Sequence, residues 1–187
     1  MSSPAAGKIN TVEVTGSKLD IACGNRKQPG FIGVDKYETP STDALVDLLV
    51  FPWPWKSESI DEVYCSHFFE HIPKEQRPVF MEELYRILKT GAKATIICPY
   101  GGSNRAMQDF THEWPPVFAE SFLYFNKKWR EENRLTHGPY AMTCDFDFRS
   151  GLDLEPNLVQ CSKEDQALAI RHYINAARDL QITLFKR

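Results

Sequence analysis

Glu62-Val63-Tyr64-Cys65-Ser66, the stretch Phe80 to Leu88, and Lys93-Ala94-Thr95-Ile96-Ile97-Cys98 together decide how this chain folds. The first and last are short apolar runs of strand length; β-branched residues dominate the last, which Pro99 closes. Between them Phe80, Leu84, Ile87 and Leu88 fall at i, i+4, i+7 and i+8 and form one apolar stripe. Pro78 suits the first turn of that helix, and Gly91 suits its stop after Lys89. Strand, helix of about three turns and strand predict a right-handed parallel unit, the building block of a doubly wound sheet.

Working outward, the same form recurs upstream. Lys18-Leu19-Asp20-Ile21-Ala22 runs into Cys23-Gly24, and Phe31-Ile32-Gly33-Val34-Asp35 and Ala44-Leu45-Val46-Asp47 each end in an acid. Only a few residues separate the first two of these. A parallel crossover normally needs a dozen or more, so no full helix fits there, and Pro29-Gly30 predicts a tight turn. Downstream, Phe118, Phe122, Phe125 and Trp129 stand at helical spacing and read as packing. Thr143 to Arg149 alternates as a half-exposed strand, with Cys144, Phe146 and Phe148 on one side. Ser162-Lys163-Glu164-Asp165 resembles a capping box that opens an amphipathic helix through Ala167, Ile170, Ile174 and Ala177. Leu180, Ile182 and Leu184 alternate as a terminal strand. The first eight residues or so are expected to be unordered. No repeat, linker or break in composition divides the chain, which reads as one domain over 1–187.

The composition bounds the partners. The 187 residues carry 22 Lys and Arg against 25 Asp and Glu, a net charge of −3, so no global basic field would hold a polyphosphate backbone or an anionic membrane. Five cysteines, an odd number without a C-x-x-C pair, fit neither a disulfide framework nor a zinc site and read as reduced thiols. The start lacks the apolar stretch of a secretory signal, and no run reaches the ~18 apolar residues of a membrane span. A cytoplasmic protein is expected.

In open α/β sheets ligands bind outside the carboxyl ends of the strands. Those ends here carry Asp20 with Ala22 and Gly24, then Asp35, then Asp47, then Ser66 and His67. One acid at such a place could be a helix cap; three at corresponding places form a pattern. A nicotinamide dehydrogenase would need G-x-G-x-x-G opening a helix, because a pyrophosphate needs helix N–H groups, and the chain offers neither.

Leu-Asp-Ile-Ala-Cys-Gly at 19–24, Val34-Asp35, the segment Ser59 to Ile72 with its Glu70-His71-Ile72, and Glu83-Leu84-Tyr85-Arg86-Ile87-Leu88-Lys89-Thr90-Gly91 resemble, in this order, the class I S-adenosylmethionine-dependent methyltransferases of the small, single-domain type. The resemblance covers about residues 18–100 and implies a Rossmann-like α/β fold, doubly wound and mostly parallel, here with a shortened first crossover. It further implies S-adenosyl-L-methionine as cofactor. On this reading Gly24 lets the backbone approach the amino-acid end of the cofactor, where a Cβ would clash. Asp20 orients the turn around Ala22 and meets the ammonium. Asp35 accepts from both ribose hydroxyls with two free oxygens. Asp47 accepts from the adenine amino group, Leu48 adds its N–H and an apolar contact, and Ser66 and His67 stand by the methionine portion. The chain departs from the family pattern after Gly24, where Asn25-Arg26-Lys27-Gln28-Pro29 precedes the next glycine.

Residues 1–100 are thus expected to bind cofactor and 101–150 to form the substrate region. Methyl transfer from a sulfonium is an in-line displacement, so alignment matters most, with a base needed for a hydroxyl acceptor. The candidate catalytic residues are His67, Asp109 and His112. Asp109 and His112 stand at i, i+3 and read as an acid–base pair, as two metal ligands, or as a turn with a hydrogen-bonded imidazole. No third ligand at fixed spacing is visible, and no metal is assigned. Glu70-His71 reads as structural or as lining the cofactor side, and His137 and His172 as surface residues. Phe51-Pro52-Trp53-Pro54-Trp55 reads either as a wall of the adenine pocket or substrate entrance, or as packing of a rigid loop. Residues 126–134, basic around Trp129, read as a solvated helix face rather than a nucleic-acid surface. The expected function is methyl transfer to a small molecule, sugar or carrier-bound metabolite. The alternative is a non-catalytic ligand- or protein-binding module on the same fold.

Overall fold

The computed structural model describes residues 17–187, and the expectation for the first eight residues lies outside them. Seven strands form one sheet in the order β3-β2-β1-β4-β5-β7-β6. They are β1 (Ser17–Ile21), β2 (Ile32–Asp35), β3 (Ala44–Leu45), β4 (Ile60–Ser66), β5 (Leu88–Pro99), β6 (Phe146–Leu154) and β7 (Ala177–Lys186). Pairing is parallel from β3 through β5, and β7 then runs antiparallel to both β5 and β6. This is the mostly parallel α/β sheet expected, closed by an antiparallel ribbon at one edge.

The deciding unit folds as read. Helix α1 (Arg77–Ile87) joins β4 to β5, with Pro78 in its first turn. Phe80, Leu84, Ile87 and Leu88 are all fully buried and share a core with Val63 and Cys65 of β4 and Ala94, Ile96 and Cys98 of β5. The stop differs from expectation. The helix ends at Ile87 because Leu88 already pairs with Ile60; Gly91, at φ 78°, instead turns the chain within β5, where the pairing with β4 slips.

The three other connections between parallel strands, 22–31, 36–43 and 46–59, contain no helix; the first two build the edge beside β1. The first is the short turn predicted, with Phe31 N–H donating to the Gln28 carbonyl and Gly30 at φ 80°. In β2, Gly33 is buried where a Cβ would stand 2.0 Å from the Ser41 carbonyl oxygen, so the second crossover closes against bare backbone.

The second half corrects three expectations. The aromatic stripe packs, with Phe122 and Phe125 buried, but on a 3-10 segment Ala119–Phe125 and not on one helix. Asn126 breaks the run: its side chain caps α3 (Lys127–Glu132) by accepting from the Trp129 N–H. Short α2 (Asn104–Gln108) and α4 (Pro156–Val159) complete the connections before α5 (Lys163–His172). Ser162 caps α5 as predicted, accepting from Asp165 N–H. Its buried face, however, is Gln166 and Ala169; Ala167 and Ile174 are exposed, because the helix ends at His172 and Ala177 already belongs to β7. The strand expected from Thr143 begins at Phe146 and runs on to Leu154. All five cysteines are free thiols, and no helix among the described residues is long and apolar enough to cross a membrane.

Candidate active site

The chain leaves β1 and β4 through two residues in the left-handed region, Ala22 at φ 56° and His67 at φ 55°. Non-glycine residues rarely adopt this conformation, which costs about 1–2 kcal/mol and is kept where surrounding contacts enforce it. Here the His67 N–H donates to the Ile97 carbonyl at 2.8 Å, and the Cys23 N–H to the Val34 carbonyl at 3.1 Å, which fixes both turns from the neighbouring strands.

Carboxylates hold the helix-free loops. Asp20 Oδ2 accepts from Gln28 N–H at 2.6 Å, Asp35 Oδ2 from Gly24 N–H at 2.9 Å and Oδ1 from Tyr37 N–H at 3.0 Å, and Asp43 Oδ2 from Gly33 N–H at 2.7 Å. Asp20 therefore orients the turn, as expected; burial pushes its carboxyl pKa up, against the opposing effect of the Gln28 N–H. The expectation of two free oxygens on Asp35 needs correction: each already takes one backbone N–H and keeps a remaining lone pair. Gly24 stands at φ 53°, a conformation that favours glycine; no protein atom lies within 4 Å of a Cβ built there, and its N–H donates to Asp35.

Two hollows lie over the strand ends and share Ala22. One, of about 200 Å³, is bounded by Ala22, Asp35, Asp47, Leu48, His67 and Phe68, with Lys36, Tyr37, Val46 and Leu49 completing it. The other, of about 370 Å³, is bounded by Asp20, Ala22, Cys23, Asn25, Arg26, Tyr64 and Ser66. Asp35 and Asp47 thus border one hollow and Asp20 the other, and Ser66 and His67, adjacent in sequence, also face different hollows. Gly24 belongs to neither wall. Asp47 is exposed, its Oδ1 accepting from Leu49 N–H at 3.0 Å, and Leu48 is buried beside it.

His67 stands between the first hollow and the later chain. Its Nδ1 is 3.4 Å from Glu70 Oε1, and its Nε2 is 3.8 Å from Asp179 Oδ2, which is ion-paired through its other oxygen with Arg105 of α2. The Glu70 hydrogen bond leads the effects that raise the His67 pKa, against partial desolvation. Asp109 and His112 form no close pair: Nε2 and Oδ2 are 3.8 Å apart, Asp109 accepts from Thr111 N–H and Oγ1–H, and His112 Nδ1 faces the Ala106 carbonyl at 3.1 Å. The Asp109 carboxyl is held low chiefly by the Thr111 N–H. The Thr111 side chain and carbonyl also meet His71 Nδ1, so the Asp109 segment folds onto the Glu70-His71 turn.

The tryptophan loop is packing, not a pocket wall. Trp53 and Trp55 are buried, and Trp53 Nε1–H donates to the Leu48 carbonyl at 3.1 Å, bracing the residue that bounds the first hollow. What anchors this loop escaped the sequence reading. Glu83 Oε2 accepts from the Trp53 N–H at 2.7 Å, while Arg86 donates to the Trp53 and Trp55 carbonyls and pairs with Glu83. Glu-x-x-Arg at i, i+3 was the available signal, since that spacing puts both on one helix face. Arg130 likewise departs from the solvated face expected: it is buried and donates to the Tyr124, Met142 and Cys144 carbonyls. The thiols of Cys65 and Cys98 are pushed well up by burial, and that of Cys144 to about 12, so none is an ionised nucleophile at neutral pH.

Comparison with known proteins agrees with this geometry. Residues 19–96 match the family described as a methyltransferase domain. A SAM-dependent methyltransferase from Archaeoglobus fulgidus is 19% identical, with 94% of this chain and 88% of that chain covered and a TM-score of 0.60. The YcgJ protein from Bacillus subtilis is 12% identical over 94% and 93% of the two chains, with a TM-score of 0.53. An S-adenosylmethionine-dependent methyltransferase from Mesorhizobium loti is 13% identical over 93% of each, with a TM-score of 0.50. These likenesses show the fold. No curated protein matches the sequence. With its seven-stranded sheet and the acids at its strand ends, the chain has the fold of the S-adenosylmethionine-dependent methyltransferases, and over residues 19–96 it is similar to the methyltransferase-domain family.

Proposed function

We propose that this enzyme methylates a small molecule, sugar or carrier-bound metabolite, held between the His67 turn and the segment 101–150 of a single domain. The observation that supports the reading is the position of His67, on the wall of one cofactor hollow and linked through Asp179 and Arg105 to α2 at the start of that segment. Phe110, 98% exposed, and Trp114, 72% exposed, follow α2 and present open aromatic faces to an acceptor. The net charge of −3 and hollows of small-molecule size favour a compact acceptor over long nucleic acid.

The residues fit the cofactor. Asp35 is buried and borders a hollow with a lone pair left on each oxygen, suited to ribose hydroxyls, and Asp47 and Leu48 beside it suit an adenine edge. Asp20 and Ser66 in the other hollow suit the amino-acid end. When bound, the cofactor supplies a sulfonium-activated methyl group. The protein aligns the acceptor and excludes water, and His67 orients the acceptor at the hollow's edge.

Calorimetric titration with S-adenosylmethionine and S-adenosylhomocysteine tests the cofactor residues. Asp35→Ala is expected to weaken binding at least about tenfold, the equivalent of one lost charge-assisted hydrogen bond. Undiminished affinity in a folded variant would remove Asp35 from the site. Turnover of a panel of small hydroxyl and amine acceptors tests the substrate class, which fails if only polymeric acceptors are methylated.

A further inference from the structure

We propose a binding site for one divalent transition-metal ion of the zinc class, formed by Glu70, His71 and His112. The first two lie in the 3-10 turn Phe69–His71 and the third follows α2; each offers a ligand atom, and these atoms all lie within 4.8 Å of one another. The Glu113 N–H donates to the Glu70 carbonyl at 2.8 Å and fastens the two segments side by side.

Hydrogen bonding sets both imidazoles in the tautomer a metal needs. His71 Nδ1 is 3.1 Å from the Thr111 carbonyl and His112 Nδ1 is 3.1 Å from the Ala106 carbonyl. A carbonyl only accepts, so each Nδ1 carries the proton and each Nε2 presents a lone pair. A ring whose Nδ1–H is held by a backbone carbonyl is the usual outer support of a metal-ligating histidine. The rings meet edge to face, with centroids 4.8 Å apart.

The carboxylate supplies the independent sign. Glu70 is 5% exposed, and its Oε2 is buried without any hydrogen-bond partner. A buried carboxylate oxygen left unpaired is costly, and a cation in the cluster satisfies it. Two imidazoles and one carboxylate suit zinc or a similar ion, while calcium and magnesium take oxygen sets. Tetrahedral ligation brings the donor atoms to about 3.3 Å of one another, within reach of side-chain rotation. Asp109 Oδ2 lies 3.8 Å from His112 Nε2. The ion ties residues 106–113 to the turn whose Glu70 also meets His67, and so positions the acceptor side of the site.

The test uses the full, tag-free chain, stripped with a chelator and titrated in the absence of S-adenosylmethionine, so its outcome is separate from that of the methyltransferase reading. Zinc is expected to bind at one ion per chain and to raise the melting temperature. Cobalt substitution is expected to give visible d–d bands without a thiolate charge-transfer band. His71→Ala and His112→Ala should each lower zinc affinity by more than about 100-fold, beyond the usual loss for an outer-shell partner. Both variants are checked to melt like the metal-free wild type; His71, partly exposed, is the safer of the two. Absence of stoichiometric binding, a thiolate band, or full affinity in a folded His71→Ala protein would overturn the site.

Discussion

Two kinds of crossover build this sheet, and they are fixed by different physics. Between β4 and β5 a helix fills the gap, and fully buried Phe80, Leu84 and Ile87 hold it by apolar packing. Between β1, β2 and β3 there is no helix, and carboxylates reach back to backbone N–H groups: Asp20 to Gln28, Asp35 to Gly24, Asp43 to Gly33. The packed crossover is far from the chemistry in role, since it supplies the core. The latched loops carry Asp20 and Asp35, which we propose for the cofactor site, so on that proposal the same two acids stabilise the fold and recognise the ligand.

That contrast is open to direct attack. The largest effect belongs to Leu84→Ala, which should cost about 2–5 kcal/mol of unfolding free energy by denaturant titration, with little dependence on pH. A cost below about 1 kcal/mol would show that packing does not carry the helical crossover. Asp43→Ala should cost less, about 1–3 kcal/mol, because it leaves the buried Gly33 N–H without an acceptor. Its cost should also depend on pH. Lys27 and the Gly33 N–H hold the Asp43 carboxyl below its ordinary value of 3.8, so the native state gains fully from it above that value. The gain fades as pH falls through the depressed value, and the wild type and variant should converge in acid. A difference that persists unchanged to about pH 2 would refute the ionic latch. Smallest is Lys27→Met, which removes an exposed ion pair with Asp43 and should cost less than about 1 kcal/mol, vanishing in high salt.

Legibility in the sequence followed the same division. Helix α1 and strands β1, β2, β4, β5 and β7 declare themselves because a side-chain period maps onto a buried face. The α5 stripe misled because Ala167 and Ile174 repeat at helical spacing without a surface to bury them, and the 118–129 stripe because Asn126 caps a new helix inside it. At the site, the strand-end acids were legible from position. What Asp35 already holds was not, because backbone partners leave no trace in side-chain pattern. Glu70, His71 and His112 each stood out, but their meeting depends on the backbone bond between Glu113 and Glu70, distant in sequence, which no fixed spacing encodes.

The position of β7 has a consequence for how the molecule is made. Although it is the last strand in sequence, it lies in the interior of the sheet, pairing Lys93 with Phe185 on one side and Phe146 with Lys186 on the other. As the chain leaves the ribosome, β5 and β6 emerge with their facing edges unpaired, and neither closes until β7 follows. Contacts of such long sequence separation form slowly. For that interval the nascent protein presents two open strand edges, Leu88–Pro99 and Phe146–Leu154, as sites for chaperones or for misassembly with another chain.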